Sequence, residues 1–279
     1  MMPLLNADQI AGRARAAQQG MIIEVISSLP STNTELRARI ARLSGPMLLA
    51  AEVQTAGRGR LGRQWHSAPG DSLCFSLAWP FQGPLSRLTG LSLMIGAVVA
   101  ETLRRMDWPV QVKWPNDLLL DGAKLGGILI DTAQRSAAPG LWAVIGIGLN
   151  VRPNQARDQA LGHAAASLQS ASDNQSAPID RNDLLARLTD ALCDALEVFD
   201  LDGLSPFIGR WHALHRYQNQ AVRLSEQALI LHEGIARGID GAGRLLLDTA
   251  AGRIAVTAGD VSLRPTDPPV SHGGAHAAG

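Results

Sequence analysis

Apolar and polar positions alternate along the first part of the chain in a way that predicts a sheet interrupted by helices. Runs of aliphatic and β-branched residues bounded by turn-forming residues are typical of strands. Such runs lie at residues 21–27, 47–55, 72–79, 110–114, 125–131 and 141–151. Short turn-forming stretches separate the last three runs, and DGAK at 121–124 is the clearest of them. We therefore expect these three runs to form antiparallel strands.

Other segments carry apolar residues at three- and four-residue spacing, which predicts amphipathic helices. They lie at residues 6–19, from about 31 to 43, at 85–106 and from Asp180 onward. Asp180 and either Ser31 or Thr32 are expected to cap their helices, and Glu35 stands where a capping box requires it. The polar stretch 170–178 is predicted to be a loop.

The pattern changes at residue 220. Short β-like runs there alternate with Gly-containing turns such as DGAG at 240–243, which is typical of small β-barrels and sandwiches. We therefore predict a boundary near Arg216, with one domain at 1–215 and a small β-domain at 216–265. The tail at 266–279 is predicted to be disordered.

The composition is that of a globular protein with a sizeable core, because 46% of the 279 residues are apolar and 18% are charged. Lys plus Arg and Asp plus Glu balance at 25 each, which argues against nucleic acid as the main partner. The two cysteines form no CxxC pair, so no zinc or disulfide framework is indicated, and Cys74 is expected in the core. We find no signal peptide and no apolar run long enough to cross a membrane. These features predict a cytoplasmic enzyme or binding protein.

The segment QTAGRGRLGRQW at 54–65 alternates Gly with Arg58, Arg60 and Arg63 and ends at Trp65. Three interpretations are open: a solvated basic loop, a nucleic-acid contact, which the balanced charge disfavours, and a clamp for phosphate. Arg forms bidentate, charge-assisted hydrogen bonds with phosphate, and Gly lets the backbone approach a ligand closely. Trp65 offers a flat surface for a nucleobase, although Trp is also a common core residue.

A second unusual segment is KWPNDLLLDGAKLGGILID at 113–131, in which Lys124 begins a strand and is followed by Gly126 and Gly127. This lysine is either a surface residue whose stem covers apolar neighbours or an inward-pointing counter-charge for carboxylate or phosphate. The strand GIGLN at 146–150 alternates Gly with apolar residues before its final Asn. Gly within a strand indicates close approach of a ligand or another backbone.

Taken in order, these segments resemble the catalytic core of the biotin–protein ligases. The family pattern GRGRxGRxW is matched by GRGRLGRQW, its KWPND…K..GIL segment by KWPNDLLLDGAKLGGILID, and its G.G.N strand by GIGLN. The family's STN stretch matches residues 31–33, and its glutamine before the loop matches Gln54. The resemblance covers residues 24–265. It implies an α+β fold with a mixed or antiparallel sheet and flanking helices, like class II synthetases, followed by an SH3-like β-barrel.

The resemblance also implies an activity, the ATP-dependent attachment of biotin to a lysine. The biotin carboxylate attacks the α-phosphate of ATP to give biotinyl-5′-AMP, and a lysine of a biotin carboxyl carrier protein of acetyl-CoA carboxylase then attacks the acyl carbon. ATP, Mg²⁺ and biotin are the expected ligands. The family's sheet edge is often used for pairing, so the question of a homodimer is left open. A Gly-rich loop that closes over the intermediate would exclude water. We expect this loop to be disordered without ligand.

The same resemblance assigns residues to the site. Those expected to bind biotin are Ser31, Thr32, Asn33, Gln54, Arg58, Gly59, Arg60, Lys124 and Gly127. Those expected to bind ATP or the adenylate are Arg58, Arg60, Arg63, Trp65, Lys113, Asn116, Lys124 and Asn150. Lys124 is expected to be the main electrostatic catalyst, together with Arg60. Asp117 is a candidate Mg²⁺ ligand, although Asn116 and Asp117 are equally suited to stabilising a turn.

Some features depart from the family pattern or stand apart from it. Residues 1–20, which precede the first strand, are too few for the DNA-binding helix-turn-helix of some members, so no repressor function is expected. Asp131 stands where the family more often has Glu, which puts an indirect contact in doubt. His212 and His215 lie three residues apart on a predicted helix and are interpreted as surface histidines, not as a metal site.

Two rival functions stay open on the sequence. A lipoyl- or octanoyl-type acyltransferase would share the fold and the lysine, but it would not need Trp65 and Asn150 to face an adenine and usually lacks the arginine loop. A non-enzymatic nucleic-acid-binding regulator would use the arginines instead, and its binding would fall steeply with rising salt.

Overall fold

A seven-stranded mixed sheet forms the centre of the computed structural model, which describes residues 4–134, 140–169, 179–226, 229–258 and 261–266. The strands of this part of the chain are β1 (Ile22–Leu29), β2 (Met47–Gln54), β3 (Gly57–Arg58), β4 (Gln64–Trp65), β5 (Ser72–Phe81), β6 (Gln111–Lys113), β7 (Asp117–Leu120), β8 (Ala123–Gln134) and β9 (Leu141–Asn150). The sheet order is β1-β2-β5-β9-β8-β7-β6, and β3 and β4 form a separate hairpin. Only the β1–β2 pair of this sheet is parallel among the described strands. The predicted mixed sheet is confirmed, although the short strand β7 was not predicted.

Alternate residues of the central strand β9 enter two separate cores. Ala143, Ile145 and Ile147 belong to the larger core, whereas Trp142 and Val144 belong to a smaller one on the opposite face. The helices are α1 (Ala7–Arg13), α2 (Arg15–Gln18), α3 (Thr32–Arg39), α4 (Leu91–Arg104), α5 (Gln155–Leu161), α6 (Arg181–Asp202) and α7 (Ile208–Leu214). Helices α4 and α6 contribute to the larger core, and α3 covers the smaller one. The sheet is therefore buried on both faces.

Two predicted helices are interrupted. The helix predicted for residues 6–19 is divided into α1 and α2, because Ala14 between them is extended. The helix predicted for residues 85–106 begins as a separate 3-10 turn, Leu85–Leu88, and α4 starts only after Gly90. The φ of Gly90 is 82°, in the left-handed region that favours glycine. Apolar periodicity continues across both breaks and therefore did not reveal them.

The predicted cap of α6 is confirmed, whereas the prediction of a capping box at the start of α3 is wrong. The Asp180 side chain accepts hydrogen bonds from the backbone N–H groups of Asn182 and Asp183 in the first turn of α6. At α3, the Ser31 side chain makes no capping bond, and Glu35 pairs with Arg39 at 2.8 Å. The side-chain oxygen of Gln54 instead accepts from the backbone N–H of Thr32 at 2.8 Å. The start of α3 is thereby tied to the end of β2.

One segment, Leu85–Arg104, is long and apolar enough to cross a membrane by length and composition alone. The expectation that the sequence holds no such run is therefore wrong. In the structure, α4 lies within this segment, and most of its residues are buried in the larger core against the sheet and α6. Packing inside the protein accounts for its apolar character.

A second sheet follows. It consists of β10 (Ala221–Glu226), β11 (Leu229–Ile239), β12 (Leu245–Thr249), β13 (Gly252–Val256) and β14 (Val261–Pro265). Its order is β13-β12-β11-β10-β14, and its pairs are antiparallel. The indole of Trp114 beside β6 donates to the Gly243 carbonyl at 3.2 Å, which joins this sheet to the first part of the chain. The domain boundary at residue 216 stays a prediction, and the predicted loop 170–178 and tail after residue 266 lie outside the described residues.

The interpretation of His212 and His215 as surface residues is wrong. His212 lies at the junction of the two parts, where its Nε2 accepts from the backbone N–H of Ile239 at 2.8 Å. His215 is buried, and its ring stacks on Trp211 with 4.4 Å between centroids. Burial lowers the pKa of His215 to about 4. The described residues contain no cluster of three or more metal-ligating side chains, so the expectation of no zinc site here is unchanged.

The buried His215 predicts a loss of stability in mild acid. The unfolded chain binds a proton near pH 6.5 and the folded protein only near pH 4, so stability falls as the pH drops through this interval. The slope from this one residue is up to about 1.4 kcal/mol per pH unit. We expect urea titrations at pH 7, 6 and 5 to show this fall, and His215→Phe to reduce it. His232→Phe, at an exposed position, should leave the wild-type slope unchanged; equal slopes in all three proteins would contradict the prediction.

Candidate active site

A cavity of about 700 Å³ opens over the sheet where bulky residues give way to glycine. On the face of β9 that carries Trp142 and Val144 under α3, the next positions are Gly146 and Gly148. The predicted site residues all line this cavity: Ser31, Thr32, Asn33, Gln54, Arg58, Gly59, Arg60, Arg63, Trp65, Lys113, Asn116, Asp117, Lys124, Gly127 and Asn150. Residues that are far apart in sequence are thus brought to one place, whereas their individual roles stay predictions.

One end of the cavity is a cluster of buried polar groups at the start of α3. The Gln54 side-chain oxygen accepts from both the backbone N–H and the hydroxyl of Thr32, at 2.8 and 3.2 Å. The Ser76 hydroxyl donates to Asn33 Oδ1 at 2.6 Å and lies 2.7 Å from Thr32 Oγ1. Asn33 Nδ2 lies 3.2 Å from both the Leu129 carbonyl and an Asp131 oxygen. These bonds fix the polar groups in place before any ligand arrives.

Glycines in the strands give these side chains room. A Cβ at Gly146 would overlap with Asn33 Oδ1 and lie 2.8 Å from Asn33 Cγ. A Cβ at Gly148 would lie 2.5 Å from the ring of Trp65, so Trp65 packs directly on the β9 backbone. The close approach predicted for the Gly-containing strand is therefore observed, with protein side chains as the approaching groups.

Cys74 pairs with Gly148 across β5 and β9 and is buried, as predicted. Burial raises the pKa of its thiol to about 11. The thiol therefore stays protonated at neutral pH and is a core residue without nucleophilic character.

The cationic part of the cavity is organised by Asp117 at the start of β7. Lys124 Nζ lies 2.6 Å from one Asp117 oxygen, and Lys113 Nζ lies 3.3 Å from the other. Burial raises the pKa of Asp117, but the two ammonium charges outweigh burial and leave its pKa below the usual value. Lys124 is 41% exposed, and its Nζ would lie 3.7 Å from a Cβ at Gly127. The carboxylate thus holds both ammonium groups at the wall of the cavity.

The arginine loop closes on itself as the β3–β4 hairpin. Gly59 N–H donates to the Arg63 carbonyl at 2.7 Å, and Leu61 and Gly62 at the tip have φ values of 58° and 72°. Two of its arginines reach across the cavity: Arg58 Nη1 lies 3.4 Å from an Asp131 oxygen and Arg60 Nη1 lies 3.1 Å from Asn116 Oδ1. Asp131 therefore keeps contact with the loop despite being one methylene shorter than Glu. Disorder of the loop without ligand stays a prediction.

The far end of the cavity lies at the end of β9. Asn150 is buried, and its Nδ2 donates to the Ala166 carbonyl at 3.0 Å. Its Oδ1 is buried and has no hydrogen-bond partner in the described part of the chain. A buried acceptor without a partner costs free energy unless a ligand supplies a donor. This wall is therefore suited to a ligand that carries an N–H group.

Comparisons with known proteins assign the chain to a family. A model of the biotin/lipoate A/B protein ligase family matches residues 23–150, and a model of the biotin protein ligase C-terminal domain matches residues 219–264. The chain is 38% identical to the bifunctional ligase/repressor BirA of Escherichia coli (strain K12) over 268 residues, which cover 95% of this chain and 79% of that protein. This chain belongs to the biotin protein ligase family.

Two further biotin protein ligases support the assignment. The biotin–[acetyl-CoA-carboxylase] ligase of Mycobacterium tuberculosis is 33% identical over 268 residues, covering 91% of this chain and 92% of that protein. The structure of the Aquifex aeolicus ligase in complex with biotin and ATP is 26% identical, with a TM-score of 0.73, and the match covers 88% of this chain and 99% of that one. The resemblance found in the sequence motifs is confirmed, and so is the implied fold of a mixed sheet with flanking helices followed by a small β-domain. The SH3-like character of that β-domain stays a prediction.

The assignment of Asp117 as a Mg²⁺ ligand does not fit its surroundings. Each of its oxygens already contacts a lysine ammonium, and no group of three or more His, Cys, Asp or Glu side chains in the described ranges could hold a metal. Mg²⁺ often keeps several waters and is bound largely through substrate phosphates. In this biotin protein ligase, the chemistry of Asp117 favours positioning of Lys113 and Lys124.

Sequence reasoning missed several cavity residues. Ser76 is not among the lining residues but bonds to Thr32 and Asn33, which are, and it could have been found as a polar residue in the middle of an otherwise apolar strand. Arg157 on α5 gave no such signal, because exposed charged residues are common in short polar helices. Arg223 of β10 and Arg264 of β14 also line the cavity, and nothing in the local pattern of a small β-domain relates them to a site in the preceding sheet.

Proposed function

We propose that this chain activates biotin with ATP as biotinyl-5′-AMP and transfers the biotinyl group to a lysine of a carrier protein. The observation that carries this proposal is the placement of the Lys124 ammonium in one cavity with the polar cluster around Asn33 and with the arginine loop. Such a cavity can take an anionic nucleophile and an anionic phosphate together, because fixed cations offset the repulsion between them.

The polar cluster is suited to the ring system of biotin. A urea group has two N–H donors and one carbonyl acceptor. Thr32, Asn33 and Gln54 line the cavity with hydroxyl and amide groups of both kinds, and Ser76 bonds to the first two of them. These groups are already held by bonds to one another, so little side-chain entropy is lost when a ligand binds. The carboxylate of biotin would then extend toward Lys124.

In the first step, a carboxylate oxygen of biotin attacks the α-phosphorus of ATP, and the bond from that phosphorus to the bridging oxygen of pyrophosphate breaks. Lys124 offsets the charge that develops between the carboxylate and the α-phosphate. We propose that Arg58, Arg60 and Arg63, which line the cavity, bind the phosphate oxygens, because Arg forms charge-assisted hydrogen bonds with phosphate. Pyrophosphate leaves, and the mixed anhydride stays beneath the loop.

In the second step, the amine of the acceptor lysine attacks the acyl carbon, the bond from that carbon to the phosphate oxygen breaks, and AMP leaves. Water would compete with the amine for the anhydride, so the site has to exclude solvent until the acceptor arrives. The hairpin bonds of the loop and its contacts with Asn116 and Asp131 favour a closed arrangement.

The finer assignments follow from the family. We propose the biotin carboxyl carrier protein of acetyl-CoA carboxylase as the acceptor and the cytoplasm as the location, with Mg²⁺ arriving on the phosphates of ATP. A homodimer formed through the sheet edges β1 or β6 stays a proposal, which light scattering at several protein concentrations would test.

The deciding experiment combines the protein with ATP, Mg²⁺, biotin and a purified carrier domain, followed by mass spectrometry of the carrier. We expect a gain equal to one biotinyl group on a single lysine, and no gain when ATP is omitted. Transfer of a lipoyl or octanoyl group, with no biotinylation, would instead support the related acyltransferase. Salt-sensitive nucleic-acid binding with no acyl transfer would support the non-enzymatic regulator.

Replacement of Arg60 predicts a leaking intermediate. A hydrogen bond from Arg to phosphate is worth about 1.5–3 kcal/mol, so we expect Arg60→Ala to release biotinyl-5′-AMP about 10-fold to 100-fold faster. The measurement is dissociation of labelled adenylate chased with unlabelled adenylate. Arg37→Ala removes an exposed guanidinium from α3 outside the cavity and serves as the matched control. A wild-type release rate for Arg60→Ala would remove this role.

A further inference from the structure

Arg157 on α5 is buried, with only 4% of its surface exposed, which is rare for an arginine that lacks a full set of partners. Its Nε donates to Asp158 Oδ1 at 3.1 Å, and its Nη1 lies 3.5 Å from the Arg152 carbonyl. Its Nη2 is buried and has no hydrogen-bond partner in the described ranges. A buried donor left without an acceptor is costly, so this side chain is better explained by a ligand than by packing.

A second buried arginine, Arg181, provides a comparison, because its guanidinium is bound by other residues of the protein core. Arg181 of α6 binds both oxygens of Glu52, at 2.9 and 3.0 Å, and also contacts the Ser72 carbonyl. This pair lies away from the cavity. Arg157 contacts one oxygen of Asp158 through its Nε and, unlike Arg181, lines the cavity. Arg157 thus differs from Arg181 in lining a space that a ligand can enter, which favours a ligand as the partner of its Nη2.

An unmet acceptor lies near the start of α5. Asp158, next to Arg157, accepts from the backbone N–H of Ala165, and the carbonyl of the next residue, Ala166, accepts from Asn150. Asn150 Oδ1 is buried and has no hydrogen-bond partner among the described residues, while its Nδ2 donates to the Ala166 carbonyl. Arg157 and Asn150 therefore offer one donor and one acceptor to a ligand at this end of the cavity. The edges of adenine carry one amino donor and ring-nitrogen acceptors. Guanine carries a carbonyl in place of that amino group, which would face the Asn150 oxygen without a hydrogen bond.

We propose that Arg157 is a specificity-determining residue for the nucleobase, donating from Nη2 to a ring nitrogen of adenine while Asn150 Oδ1 accepts from the 6-amino group. The inference rests on the proposed function, which brings ATP into this cavity. It adds a residue from outside the recognised motifs, and it assigns to that residue the choice of base, not the chemistry at phosphorus.

The test is a double-mutant-type cycle that removes the Arg157 guanidinium from the protein and one ring nitrogen from the base. The dissociation constants of ATP, 1-deaza-ATP, 3-deaza-ATP and 7-deaza-ATP are measured by calorimetry without biotin, for the wild type and for Arg157→Met. We expect the wild type to bind one deaza analogue about 10-fold or more weakly than ATP, since hydrogen bonds to charged groups have this magnitude. Arg157→Met should bind ATP with a similar loss and show no further loss with that analogue.

Several outcomes would overturn the proposal. The same analogue penalty in both proteins, or no penalty in the wild type, would remove the contact with the base. An equal loss of affinity of Arg157→Met for ATP and CTP would assign Arg157 to the ribose or phosphates instead. Wild-type protein that shows the expected analogue pattern but biotinylates no carrier would contradict the proposed function alone.

Two controls separate recognition from folding. Arg152→Met removes an exposed arginine from the same segment and should bind all four nucleotides as the wild type does. Arg157→Lys keeps a charged donor of nearly the same length, and we expect it to recover part of the preference for ATP over the penalised analogue. If Arg157→Met does not fold, the wild type decides alone, and equal affinities for ATP and all three deaza analogues would reject the proposal.

Discussion

Lys124→Ala should reduce biotin-dependent exchange of pyrophosphate into ATP by about 10²–10³-fold, the usual cost of removing a group aimed at developing charge. The ammonium lies 2.6 Å from Asp117 at the wall of the cavity and would face the carboxylate and the α-phosphate as they approach. Its removal leaves the repulsion between these two anions without a fixed counter-charge. The loss should therefore lie mainly in the rate of adenylate formation, with a smaller change in biotin affinity.

Two variants make this prediction specific. Arg42→Ala removes an exposed cation remote from the cavity and should keep the wild-type exchange rate. Lys124→Arg keeps the charge but replaces a compact ammonium with a planar guanidinium, and we expect it to restore only part of the activity. Exchange by Lys124→Ala within a few-fold of the wild type would show that another residue supplies the counter-charge.

Gly146→Ala should abolish most biotin binding while nucleotide binding is kept. The added methyl group would overlap with the Asn33 side chain, which Ser76, Leu129 and Asp131 hold by hydrogen bonds. Moving Asn33 breaks these bonds and removes part of the polar cluster. Loss of two or more buried hydrogen bonds corresponds to roughly 100-fold in the biotin dissociation constant.

Calorimetry with biotin and, separately, with ATP measures the two affinities of Gly146→Ala. Gly209→Ala is the matched control, because a Cβ at this helical position meets no atom within 4 Å. It should bind both ligands as the wild type does. Parallel losses of biotin and ATP affinity in Gly146→Ala would indicate general unfolding, and an unchanged biotin affinity would place the biotin ring elsewhere in the cavity.

The motifs could be predicted from the sequence because each is a local pattern with a local physical cause. Gly146 and Gly148 in a strand indicate close approach of another group, because they lack side chains. The alternation of Gly and Arg at 57–63 indicates a loop suited to binding phosphate. The parallel pairing of β1 with β2 was not predicted, although the helix predicted between these two strands favours a parallel crossover. The break at Gly90 was not predicted, because the apolar periodicity continues across it. The left-handed backbone of Gly90 nevertheless interrupts the helix.

Residues that act through distant partners were the least predictable. Asp117 looked like a metal ligand or a turn residue, and only the fold shows that it binds two lysines at once. His215 was interpreted as exposed, because three-residue spacing on a short helix does not show that its ring is buried against Trp211. Arg157 and Arg264 enter the cavity from elements whose sequences carry no pattern for it. Such contacts depend on tertiary structure alone.

The scarcity of lysine outside the pair Lys113 and Lys124 has a chemical consequence for the protein itself. Lys plus Arg number 25 in this chain, and these two are the only lysines in the sequence. Guanidinium groups are not deprotonated in proteins, so arginines do not react with acyl phosphates as free amines do. An activated acyl group that escapes before reaching its acceptor would meet almost no amine on the surface that released it. The molecule is thereby poorly suited to labelling itself.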